Sequence, residues 1–100
     1  MNLTLQTIWN CLDIPNKETV DFVSFKLDYN RMTCRFYQDK ESGKITVEGE
    51  INELTLEKIL KHLPNAFVFH IRRYGKPCRY CAYQWNEEAQ KMQIIPELDS

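Results

Sequence analysis

Apolar residues recur along this chain with two rhythms, one helical and one alternating. Residues 3–12, "LTLQTIWNCL", and residues 54–63, "LTLEKILKHL", place Leu3, Ile8 and Leu12, and then Leu56, Ile59 and Leu63, at the spacing that lines one face of a helix. After the first of these, Val23, Phe25 and Leu27 alternate with Ser24, Lys26 and Asp28, as in a strand buried on one side. Tyr29-Asn30 predicts a turn, beyond which Met32, Cys34 and Phe36 continue the apolar side. Matching Leu27 with Met32, Phe25 with Cys34 and Val23 with Phe36 keeps every inward residue on one face. "KESGK" (40–44) predicts the next turn, and Ile45 and Val47 a third strand.

The same order returns after the second helix. Phe67, Phe69 and Ile71 point inward, Gly75-Lys76-Pro77 reads as a three-residue turn, and Cys81, Tyr83 and Trp85 come back on the same face. This register places Tyr74 beside Cys78, Arg72 beside Tyr80 and His70 beside Ala82. "NEEAQ" (86–90) then turns into a strand carrying Met92 and Ile94. Pro64 ends the second helix, because its ring disfavours a helical residue before it. Trp9 and Trp85 fall at core positions.

The two helical segments share Leu3/Leu54, Thr4/Thr55, Leu5/Leu56, Ile8/Ile59 and Leu12/Leu63. From Cys34 onward a constant offset of 47 aligns Cys34/Cys81, Phe36/Tyr83, Lys44/Lys91 and Val47/Ile94. Similarity held in register through a whole unit points to internal duplication. The expected fold is α+β: a duplicated αβββ-αβββ unit, pseudo-two-fold symmetric, with two helices on one face of an antiparallel sheet of up to six strands. One domain is expected over 1–100, its repeats approximately 1–51 and 52–100, joined near Asn52-Glu53.

Composition narrows the class. With 100 residues and 43% hydrophobic content the chain has material for one core and no second one. No run approaches the roughly 20 apolar residues that span a bilayer, and the opening "MNLTLQTIWNCLD" lacks the pattern of a signal peptide. Cys11, Cys34, Cys78 and Cys81 are therefore expected as reduced thiols in a cytoplasmic protein without a membrane partner.

Within a duplicated scaffold, positions that diverge between copies are candidates for function. The outward side of the first unit, Ser24, Lys26, Asp28, Arg31, Thr33, Arg35, Thr46 and Glu48, reads as a mixed solvated surface. The second unit presents Val68, His70, Arg72, Tyr74, Cys78, Tyr80, Gln84 and Ile95, richer in aromatic and apolar groups than water contact requires. Charge converges on the same half. Between Lys58 and Trp85 six basic residues meet no Asp or Glu, so this stretch carries +6 against −7 for the remainder, within a net charge of −1. Such segregation steers an acidic partner or a nucleic acid to one side.

Catalytic and metal chemistry fit less well. "CRYC" (78–81) has the CxxC spacing of zinc and redox sites, but no second CxxC or spaced histidine pair accompanies it, and residues three apart on a strand point to opposite faces. His70 has no carboxylate at the outward strand positions around it, and His62 reads as a helix-end residue. The glycines Gly43, Gly49 and Gly75 are isolated, so no phosphate loop is present. The expectation is a non-catalytic protein-interaction module, a small regulator, inhibitor or adaptor, with no cofactor or metal. Its partner surface comprises His70, Arg72, Tyr74, Lys76, Cys78, Arg79, Tyr80 and Gln84, facing an acidic protein. The alternative is nucleic-acid binding, single-stranded or RNA, by aromatic stacking on the same face. A homodimer through a sheet edge or the outward face is a further expectation.

Overall fold

A computed structural model describes residues 3–27, 32–48, 53–66 and 68–96. The fold is α+β, with one seven-stranded sheet and two short helices. In chain order the elements are α1 (Leu5–Asn10), β1 (Leu12–Asp13), a 3-10 turn (Lys17–Thr19), β2 (Val20–Leu27), β3 (Met32–Gln38) and β4 (Ile45–Val47). Then follow α2 (Glu53–His62), a second 3-10 turn (Leu63–Asn65), β5 (Val68–Arg73), β6 (Arg79–Asn86) and β7 (Lys91–Pro96). The strand order is β1-β7-β6-β5-β2-β3-β4, so two three-stranded meanders meet along the antiparallel pair β2 and β5.

The first hairpin has the register that its apolar pattern dictates: Leu27 opposes Met32, Phe25 opposes Cys34 and Val23 opposes Phe36. Leu27, Phe25, Cys34, Val23 and Phe36, with Phe69 and Ile71 of β5 and Cys81 of β6, are buried beneath the helices. An aromatic spine crosses four strands, Phe36 to Phe25 at 5.8 Å, Phe25 to Phe69 at 5.2 Å and Phe69 to Tyr83 at 4.9 Å between ring centroids. Burial pushes the Cys34 thiol up to about 11. The helices supply Ile8, Trp9, Leu56, Ile59 and Leu63 to the same core, with Leu3 and Trp85 packed at its margin. The turn at 40–44 is built as expected: the Asp39 carboxylate accepts from the amides of Glu41 and Ser42, and Gly43 takes a φ of 75° that a side chain would strain.

Four expectations need correction. The first helix is shorter than residues 3–12, starting after a Thr4 cap that exchanges hydrogen bonds with Thr7 and ending at Asn10. Leu12 reaches the core from a strand instead, because Leu12–Asp13 pairs in parallel with Met92–Gln93 and the Met92 amide donates to the Cys11 carbonyl at 2.7 Å. The sheet accordingly has seven strands, one of them parallel, where six antiparallel strands were expected. The helix at α2 stops at His62, with Leu63 and Pro64 in a 3-10 turn.

The fourth correction concerns the β5–β6 hairpin. His70 opposes Tyr80 and Ile71 opposes Arg79, a slip of two residues from the pairing of Arg72 with Tyr80. Pro77 has no amide to donate to a tight ladder, and the Tyr74 amide donates to Thr19 rather than across the hairpin. A slip of two keeps each side chain on its face but changes its neighbours. The predicted turn at Tyr29-Asn30, inward Phe67 and the join at Asn52 lie outside the described residues, as do Asp28 and Arg31.

Candidate interaction face

The helices cover one side of the sheet, and the other side presents its residues in cross-strand rows. One row runs Thr46, Tyr37, Phe22 and Arg72 from β4 through β5. The next runs Glu48, Arg35, Ser24, His70 and Tyr80, the first joined through its amide to the Arg35 carbonyl. Further along β6 and β7, Ala82 opposes Ile95 and Gln84 opposes Gln93.

The β2–β3–β5 part of this face is knitted together. Phe22 is only 6% exposed although no helix covers it. Its cover is two guanidinium groups, Arg35 at 4.9 Å and Arg72 at 4.6 Å from the ring, with Tyr37 at 5.6 Å. Arg72 donates from Nε and Nη2 to Asp21 Oδ2, at 2.9 and 2.5 Å. Asp21 is the extra residue where the β2–β5 register shifts between Val20 and Phe22, which turns its carboxylate onto the open face. Arg35 donates to the Tyr37 hydroxyl at 3.4 Å, the largest cause that holds its guanidinium above the usual range, and meets Glu48 at 3.7 Å. The Tyr74 hydroxyl donates to the Gln38 carbonyl, and Lys40 lies 5.7 Å from its ring. Burial pushes the Tyr74 phenol up.

The β6–β7 part is different. Tyr80 is 64% exposed and Ile95 60%, the two large apolar side chains most open to water among the described residues. Tyr80 touches His70 edge-on at 4.3 Å. Lys76, Cys78 and Gln84 are exposed beside them.

The expected partner residues therefore divide. His70, Tyr80, Cys78 and Gln84 share the open face, with Lys76 at its turn. Arg72 and Tyr74 are on that face but are committed to Asp21 and Gln38. Arg79 shares its rung with the buried Ile71 and so projects from the helix-bearing side. Arg73 also serves the fold, donating to the Pro15 and Asn16 carbonyls and the Thr19 hydroxyl. Internal pairing thus accounts for part of the basic cluster that the charge pattern singles out. Sequence reading missed Asp21, Phe22 and Tyr37. Tyr37 was available as the residue two beyond Arg35, whereas the bulge at Asp21 had no marker in the apolar pattern.

On the other side of the molecule, Cys11, Leu60, Lys61, Pro64, Trp85, Glu87 and Gln90 line a groove of about 630 Å³. Trp85 closes part of its wall by donating to Glu87 at 2.8 Å. Nearby, Lys17 donates to the Trp9 carbonyl and lies 5.1 Å from the Trp9 ring. Burial, and then Lys91, bring its ammonium down to about 8. Cys78 is exposed and Cys81 buried from the opposite face, so the CxxC thiols diverge. Among the described residues no group of three His, Cys, Asp or Glu side chains is placed to hold a metal ion, and no helix is long and apolar enough to cross a membrane. Comparison with protein-family models, curated proteins and solved structures finds no match for this chain.

Proposed function

We propose that the chain is a non-catalytic protein-interaction module, a small cytoplasmic regulator, inhibitor or adaptor, and that it binds an acidic protein through the open face of its second half. The observation that carries this reading is the pair Tyr80 and Ile95. Two large apolar side chains, each exposed by more than half, lie on adjacent strands at the less committed end of a sheet face. Ala82 opposes Ile95 and lies two residues from Tyr80 on the same strand, Lys76 sits at one margin, and Gln84 with Gln93 supplies a polar rim at the other. Tyrosine is a residue type that commonly dominates binding energy when a partner covers it. Support for duplication comes from the order β4-β3-β2-β5-β6-β7, in which each half contributes a meander and a helix. The same face is also the surface through which we propose a homodimer would form.

The test is affinity capture on wild-type chain and on Tyr80→Ala/Ile95→Ser, with and without nuclease, after circular dichroism has established equal folding. A protein retained by the wild type after nuclease and lost with the double variant supports the module. Bound material that disappears on nuclease treatment transfers the assignment to nucleic acid. Retention by both chains alike removes the face from the mechanism.

A further inference from the structure

The knitted and open parts of the sheet face meet at one rung, Arg35, Ser24 and His70, contributed by the adjacent strands β3, β2 and β5. Ser24 is only 7% exposed, a small side chain flanked in its rung by two larger ones. Among the described residues, the buried side-chain nitrogen or oxygen atoms with no hydrogen-bond partner are Arg35 Nε and His70 Nε2. They belong to the two residues on either side of Ser24. Buried polar atoms are normally paired, and two orphans flanking one serine constitute a local deficit in an otherwise bonded face. The arginine one row away shows the contrast, with Nε and Nη2 both bonded to Asp21.

We propose that this rung is a carboxylate-binding site that recognises an Asp or Glu side chain of an acidic protein segment, a proposal that rests on the interaction reading above. A carboxylate has two acceptor oxygens and no donor. One oxygen accepts from Arg35 Nε–H, and the other accepts from the His70 ring or the Ser24 hydroxyl. The Arg35 guanidinium is already oriented by Tyr37 and Glu48 through Nη1, and its buried Nε–H has no partner among the described residues. A single negative charge suits the site better than a phosphate dianion, because Glu48 and Asp21 already stand on the same face. Tyr80 stands at the His70 end of the rung, in T-shaped contact with that ring and mostly in water. A segment bound at the rung meets the Tyr80 phenol at that end.

The experiment follows the Arg35 Nε–H and His70 ring resonances of the isotope-labelled full chain during titration with a synthetic hexaglutamate peptide. Inorganic phosphate and an oligothymidylate are titrated in parallel. The expected result is a shift of both sets of resonances by hexaglutamate, with affinity falling about tenfold in Arg35→Lys, which keeps the charge and removes Nε–H. His70→Phe weakens binding as well, and Lys58→Gln, on α2, leaves it unchanged. Should Arg35→Lys lose the backbone dispersion of the folded chain, His70→Phe and the wild-type resonances decide. Peptide binding that moves Tyr80 and Ile95 but neither Arg35 nor His70 overturns the rung while leaving the interaction face standing. Equal weakening by Lys58→Gln reduces the effect to general charge and overturns it. The absence of any shift, or a stronger response to phosphate or oligothymidylate, overturns the carboxylate assignment.

Discussion

Two neighbouring parts of one sheet face use similar residues to opposite ends. Around Phe22, two arginines and a tyrosine close over an aromatic ring, and Asp21 and Glu48 hold the arginines. Around Tyr80 and Ile95 the rings and methyl groups face water. Arginine and tyrosine enrichment therefore does not by itself mark a binding surface. The informative quantity is how much of each side chain's bonding capacity the fold has already used.

That distinction is sharpened first by Phe22→Ala, the largest expected effect. Removing a ring buried beneath two guanidinium groups should lower unfolding free energy by about 3 kcal/mol, measured by urea denaturation. A loss near zero would mean that the arginine cover contributes no real burial. Next comes Tyr80→Ala/Ile95→Ser, expected to leave stability within about 0.5 kcal/mol while weakening capture of the partner about 30-fold. A large stability loss with unchanged capture would invert the comparison. Arg72→Ala should cost about 1 kcal/mol, from a cation–π contact and a partly exposed ion pair, whereas Lys76→Ala should cost nothing measurable.

A pH-dependent effect lies outside both parts and provides a control on the face. Lys17 holds its proton less firmly in the folded chain, at about 8 against 10.5, so the unfolded chain binds more protons between these values and stability rises with pH across that window. Lys17→Met should lack this rise, and its stability relative to wild type should be greater at pH 7 than at pH 10. Cys34, raised to about 11 from 9.0, acts in the opposite sense above pH 9 in both chains and cancels in the difference. An unchanged difference between the two pH values would show that Lys17 is solvated in the native state.

Much of the core was legible in the sequence because strict alternation excludes a one-residue slip and the turn expected at Tyr29-Asn30 selects among the remaining registers. Val23, Phe25 and Leu27 against Phe36, Cys34 and Met32 is such a case, since a slip of one residue would bury Lys26 and expose Phe25. The β5–β6 register was not legible for a related reason. A slip of two residues preserves the faces, so burial does not choose between alternatives, and the turn around Pro77 decides. β1 escaped notice because two residues are too few to show a period, and Leu12 satisfied the helical spacing equally well. The outward residues Tyr80 and Ile95 were found from strand alternation and from the contrast between the outward positions of the two halves. The commitment of Arg72 depended on a bulge at Asp21 that no hydrophobic pattern announces.

The short parallel strand has a consequence for how the molecule assembles. Residue 12 finds its partner only at residue 92, and α1, directly before it, packs against β4 at the opposite edge of the sheet. During synthesis the first helix can have no finished docking place until almost all the described chain has emerged. Closing such a long loop is entropically slow, so the two meanders should pair first and the α1–β1 segment should lock last. Because that segment touches both β7 and β4, its detachment should expose both ends of the sheet at once.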